Sequence, residues 1–144
     1  MNINVIYYSR SGNTAKVAQA VAAACGVEAI DIAQPHILPD TDLLFVGMGI
    51  YGGKPDQNLL DYLDNLPANR IHAAAVFSTS TSGKDQMEPA INLLKHKEIE
   101  VYPLHLRMKG KFLFFNRKRP NKGDLIRAQR FAEEVMKYYS EEND

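Results

Sequence analysis

The chain has 144 residues, 45% of them hydrophobic and 24% charged, which fits one compact soluble domain and excludes a disordered or fibrous protein. Seventeen basic residues balance seventeen acidic ones, so net charge supports neither nucleic-acid binding nor a strongly acidic docking surface. A single cysteine, Cys25, excludes an internal disulfide and a thiolate cluster for a metal. The segment from Met1 to Asn4 carries no basic leader pattern and no apolar run is long enough to span a bilayer, so the expectation is a cytoplasmic protein without membrane insertion.

Residues 3–8 form a short run rich in β-branched and aromatic side chains that ends abruptly at Ser9, which predicts a buried strand entering a loop. Residues 14–25, with alanines and the spacing of Val17, Ala18, Val21 and Ala22, predict a helix that Gly26 closes. Residues 27–32 predict a second strand. Residues 43–49 predict a third, and its nearly unbroken apolar character is that of a strand covered on both faces.

A helix over 56–66 places Leu59, Leu60, Leu63 and Leu66 on one side. A fourth strand over 73–77 runs into a serine- and threonine-rich loop, and a helix over 85–95 follows. Residues 99–106 predict a fifth strand, and 108–119 an irregular basic and aromatic connection. A final amphipathic helix spans 124–138. No repeat or linker divides the chain, so residues 1–144 are expected to form a single domain. Strands alternating with helices imply right-handed crossovers, hence an α/β fold with a five-stranded, doubly wound parallel sheet in three layers. Ligands of such sheets sit beyond the carboxyl ends of the strands, where strand order reverses.

Three loops meet there. Ser9, Arg10, Ser11, Gly12, Asn13 and Thr14 supply hydroxyls, a glycine that allows close backbone approach, and the unpaired amides of a helix start. Such a segment reads either as a polar capping turn or as a phosphate cradle, and its place between the first strand and a long helix favours the cradle. Arg10 either adds charge to it or points to solvent. Gly47, Gly49, Ile50, Tyr51, Gly52 and Gly53 end the third strand. They read as a tight turn, or as backbone brought close to a flat ligand with Tyr51 as a stacking face and a glycine peptide facing a ring nitrogen. The third loop, Ser78, Thr79, Ser80, Thr81, Ser82 and Gly83, offers hydroxyls and amides, or is simply solvated.

The stretch from Tyr8 through Ser9, Arg10, Ser11, Gly12 and Asn13 to Thr14 resembles the phosphate-binding signature of the flavodoxin family, and the similarity of length and element order covers nearly the whole chain. The resemblance implies strand order 2-1-3-4-5 and FMN as cofactor. It implies a phosphate held by Ser9, Ser11, Gly12, Asn13 and Thr14, and an isoalloxazine ring bordered by residues 50–53 and 78–83. Two features depart from electron-carrying flavodoxins. The chain is neutral, and its third loop has no aromatic residue, so the second stacking partner is Phe112, Phe114 or none. Lys54 and Lys84 flank the expected ring site, so the two-electron potential is expected to lie above that of an acidic flavodoxin.

A phosphotransfer receiver would need acids after strand one and an aspartate where Gly49 stands. A low-molecular-weight phosphatase would need a cysteine in the first loop, and a Walker loop would need glycine at Ser78. His36, His72, His96 and His105 lack metal-ligand spacing. Three readings remain: a carrier passing electrons between protein partners, an FMN-dependent oxidoreductase acting on a quinone or similar small molecule, and a flavin-free interaction domain. The carrier is favoured, because no residue outside the flavin loops stands out as acid, base or nucleophile.

Overall fold

β-branched runs and longer amphipathic segments alternate through the chain. The computed structural model, which describes residues 1–112, 116 and 118–142, arranges them as a sheet between two helical layers. The order is β1 (Ile3–Tyr7), α1 (Asn13–Cys25), β2 (Ala29–Asp31), β3 (Thr41–Tyr51), β4 (Lys54–Pro55), α2 (Gln57–Asp64), a 3-10 turn (Ala68–Arg70), β5 (Ile71–Ser80), α3 (Glu88–His96), β6 (Glu100–Val101), β7 (Leu106–Lys109) and α4 (Lys122–Glu142). Hydrogen bonding orders the sheet β2-β1-β3-β5-β6, and every pair along that path is parallel. This is the doubly wound sheet expected from the sequence, with two additions.

The first addition is a break in the fifth strand. β6 and β7 both pair in parallel with β5, but Val101 faces Ala74 and Leu106 faces Phe77, so five residues of chain span three of β5. The Tyr102 amide still donates to the Ala74 carbonyl at 2.8 Å. Pro103 then has no amide to donate, and Leu104 swings out 61% exposed. An unbroken strand over 99–106 is therefore corrected to two short ones, the second taking Met108 and Lys109 out of the supposed irregular connection. The second addition is β4, an antiparallel hairpin return on the end of β3.

Both faces of the sheet are covered, and β3 shows how. Leu43 and Phe45 join a cluster with Val17, Val21, Phe131 and Val135 under α1 and α4, while Leu44, Val46 and Met48 join Leu59, Leu63, Ile91 and Leu94 under α2 and α3. Strand side chains alternate between faces, so a strand with a core on each side reads as continuously apolar.

Helix starts follow local capping chemistry. Asp56 accepts from the Asn58 amide at 2.9 Å and sets α2. α3 begins at Glu88, three residues later than expected, because Asp85 turns its carboxylate to the Met87 amide and to His105. At the entry to α4, the Asn121 side chain accepts from the Asp124 amide and the Asp124 carboxylate accepts from the Asn121 amide, both at 2.9 Å. Arg119 adds a second grip on Asp124, with one contact at 2.8 Å.

Burial alone would raise the Asp124 carboxyl, but the hydrogen bonds from Arg119 and the Asn121 amide, with the charges of Arg119 and Arg127, outweigh it and hold it below the usual carboxylate range. A depressed folded-state value means the stabilisation is present above the unfolded value and lost as pH falls through the folded one. Asp124→Asn is expected to cost about 2 kcal/mol at pH 7. The difference from the wild-type chain should shrink below pH 4, which denaturant titrations at pH 7 and pH 3 would check.

Candidate functional site

The cavity of interest opens beyond the carboxyl ends of β1, β3 and β5 and measures about 190 Å³. Eight of the residues expected from sequence line it: Ser11 and Asn13 from the first loop, Ile50, Tyr51 and Gly52 from the second, and Thr79, Ser80 and Thr81 from the third. Gly110, Lys111 and Phe112 complete the wall. Gly110 had no place among the sequence candidates, while Lys111 and Phe112 belong to the basic and aromatic segment whose composition fits a solvated loop, a docking surface for an acidic redox partner or a closure over the flavin.

In the first loop Gly12 has φ +90° and precedes α1, with nothing within 4 Å of the position a Cβ would take. Its amide donates to Ser9 Oγ at 3.0 Å, so Ser9 shapes the loop from below. Asn13 Nδ2 donates to Ser11 Oγ at 3.1 Å and to the Lys111 carbonyl at 2.8 Å, tying the loop to the opposite wall. Thr14 is buried, and its Oγ1 lies 2.7 Å from Thr79 Oγ1, joining the first and third loops at the floor. α1 has no side-chain cap and no acid in its first turn, whereas α2 is capped by Asp56 and α3 and α4 carry Glu88 and Asp124. Its positive end is left for something else to satisfy.

Arg10 turns away from that loop. Its Nε pairs with the buried Asp56 carboxylate, and its guanidinium carbon lies 4.0 Å from the Tyr51 ring centroid. Burial pushes the Tyr51 phenol up, opposed by the charge and amide of Arg10, with a smaller upward push from Asp56 and a still smaller downward one from the Ser11 hydroxyl. Tyr51 is thus clamped against the first loop.

The glycines of the second loop have separate causes. A Cβ at Gly47 would lie 2.3 Å from the Phe77 ring and one at Gly49 would lie 2.8 Å from Tyr51 Cε2, so each leaves room for an aromatic ring. Gly52 and Gly53 have φ +58° and +79°, the backbone of a two-residue hairpin turn joining β3 to β4. Gly53 lies outside the cavity wall.

In the third loop, the Gly83 amide donates to Ser80 Oγ at 2.8 Å. Ser78 Oγ is buried with no hydrogen-bond partner among the described residues. Ser82 and Gly83 face a neighbouring groove with His105, Arg107, Lys109, Arg119 and Arg127. Lys54 and Lys84, expected beside the ring site, are exposed and outside the cavity wall, where Lys111 is the cation present. Phe112 is 55% exposed at the rim, while Phe114 lies outside the described residues. Cys25 is half-buried at the end of α1, away from this cavity, and burial pushes its thiol up to about 11, which keeps it protonated.

The flavodoxin domain family model matches residues 4–102, more than half of the chain and all of the first two loops and the third. The chain belongs to the flavodoxin domain family. Membership makes it a flavin-binding type of domain. An uncharacterized protein of Methanocaldococcus jannaschii is 28% identical over 143 residues, covering 87% of this chain and 91% of the relative. Among solved structures, a flavodoxin from the domain Archaea superposes with TM-score 0.78 at 17% identity, covering 96% of this flavodoxin domain and 98% of that chain. A flavodoxin, WrbA-like protein from Agrobacterium tumefaciens gives 0.77 at 19% identity, covering 97% and 98%. These structural likenesses bear on the fold. No described helix is long and apolar enough to cross a membrane.

Proposed function

We propose that this flavodoxin domain holds FMN and carries electrons between protein partners. The observation that supports it most is the bare N-terminus of α1, with neither cap nor acid, opening through the Gly12 turn beside a cavity lined by Tyr51 and Phe112. The residues fit the group. Helix amides and the hydroxyls of Ser9, Ser11 and Thr14, with Asn13, suit a phosphate, and the two aromatics suit a flat ring. Bound FMN would supply reversible redox chemistry.

The chain's own part is to bind and orient. Thr79, Ser80 and Thr81 offer backbone and hydroxyl groups along one side of the ring, and the β3–β4 hairpin offers peptides along another. The cavity is smaller than the roughly 300–1,000 Å³ of sites that swallow their ligands, so one edge of the ring would face outward, as exchange with a protein partner requires. The described wall contains no carboxylate, histidine or thiol, which favours a carrier over an enzyme that needs its own acid or base.

The test is a visible spectrum after flavin-stripped protein is incubated with FMN, or with riboflavin, and freed of excess. FMN retained at least 100-fold more tightly than riboflavin is the expected result. Equal retention would remove the phosphate site, and no retention of either would remove the redox reading.

A further inference from the structure

Overall neutrality conceals a strong asymmetry. Between positions 107 and 130 the chain carries nine of its seventeen basic residues and one of its seventeen acids. The fold gathers part of this set into a groove of about 310 Å³ along the edge strand β7, lined by Arg107, Lys109, Arg119, Arg127, His105 and the end of the third loop. Lys109 lines this groove and Lys111, two residues on, lines the flavin cavity, so the basic groove and the cavity share a rim.

Three of these side chains are held in place. Asp124 grips Arg119 and lies 3.6 Å from Arg127, and Arg127 also donates to the Arg107 carbonyl at 3.3 Å. Asp85 bonds His105 at 2.8 Å. Two acids against this many cations leave the groove positive, and they fix the side chains of Arg119, Arg127 and His105.

We propose that this groove docks an acidic protein partner and brings that partner's surface to the exposed edge of the cavity. The proposal rests on the electron-carrier reading for its purpose, and on charge complementarity for its partner. Outside positions 107–130 acids outnumber basic residues sixteen to eight. An extended polyanion such as nucleic acid or a membrane would reach beyond the groove, onto a surface whose other residues are net acidic. A globular partner with a local acidic patch touches only the rim, and a concave groove lined by Arg107, Lys109, Arg119 and Arg127 suits side-chain carboxylates.

The probe is a plant-type ferredoxin, chosen for its acidic surface, titrated calorimetrically into the chain with and without FMN. Binding at 20 mM salt that weakens at least tenfold by 200 mM, and a further tenfold or greater loss in Arg107→Glu with Lys109→Glu, is expected. Arg107→Gln should show a smaller loss of the same sign, which covers the case in which charge reversal disturbs folding. A basic cytochrome c should bind the wild-type chain at least tenfold more weakly than the ferredoxin. No ferredoxin binding at 20 mM salt, or binding indifferent to these substitutions, overturns the proposal. So does tighter, substitution-sensitive binding of phosphatidylserine vesicles or of a 20-nucleotide DNA. Flavin retention is scored separately on each sample, so a chain that docks ferredoxin but holds no flavin keeps the surface and loses the carrier function.

Discussion

Gly47→Ala is expected to destabilise the chain by about 2 kcal/mol, with a matching fall in the urea midpoint and little change in slope. Gly47 pairs across the sheet with Tyr7 on β1 and Phe77 on β5, and the Phe77 ring lies over it. A Cβ there would fall 2.3 Å from one ring carbon and 2.4 Å from the next, far inside van der Waals contact. Phe77 has nowhere to retreat, because it is fully buried in the cluster under α1 and α4. Close packing means such an overlap moves several side chains or the strand itself. Gly47→Ala combined with Phe77→Leu should therefore cost less than the sum of the two single changes. Additive costs would mean the glycine serves some other purpose.

That overlap also marks where the sequence stopped being readable. The order of alternating elements, the doubly covered β3 and the first loop's place between strand and helix are local patterns and appear in the structure, whereas the break in the fifth strand and the late start of α3 depend on Pro103 and on the Asp85 contacts. Four glycines in seven residues look like one platform for a flat ligand. The structure gives each glycine a local cause as well: two make room for Phe77 and Tyr51 and two form a hairpin turn, and the rings that need the space come from side chains that local spacing does not locate. Arg10 reads as a possible phosphate cation, yet its partner Asp56 is 46 residues away and buried, so the pairing exists only once β3 and α2 are in place. Residues 110–112 have no periodicity, and among the described residues they are placed by Asn13, the Ser80 carbonyl, Asn116 and Arg119. The basic run from Lys109 to Arg119 is legible in the sequence, whereas its assembly with Arg107 and Arg127 into one groove needs the packing of α4 beside β7.

Thr14 and Thr79 provide the second large effect, because their hydroxyls meet at 2.7 Å in a buried floor and each satisfies the other. Thr14→Val should cost about 1–3 kcal/mol of stability in the flavin-free chain, since it leaves the Thr79 hydroxyl buried and unpaired, and Thr79→Val should cost a similar amount for the converse reason. The double substitution removes both polar groups while keeping shape, so its cost should fall below the sum by about 1 kcal/mol or more. Flavin affinity separates the two residues. Thr14 lies in the first turn of α1, and its hydroxyl can accept from Thr79 while donating to a phosphate oxygen at the helix start, whereas Thr79, from the cavity wall, would hold that donor in place. Thr14→Val should then weaken FMN at least tenfold while sparing riboflavin, and Thr79→Val should weaken FMN only a few-fold. If both substitutions lower FMN and riboflavin alike, the pair is a structural tie between two loops, and the phosphate must be held by the α1 amides with Ser9, Ser11 and Asn13 alone.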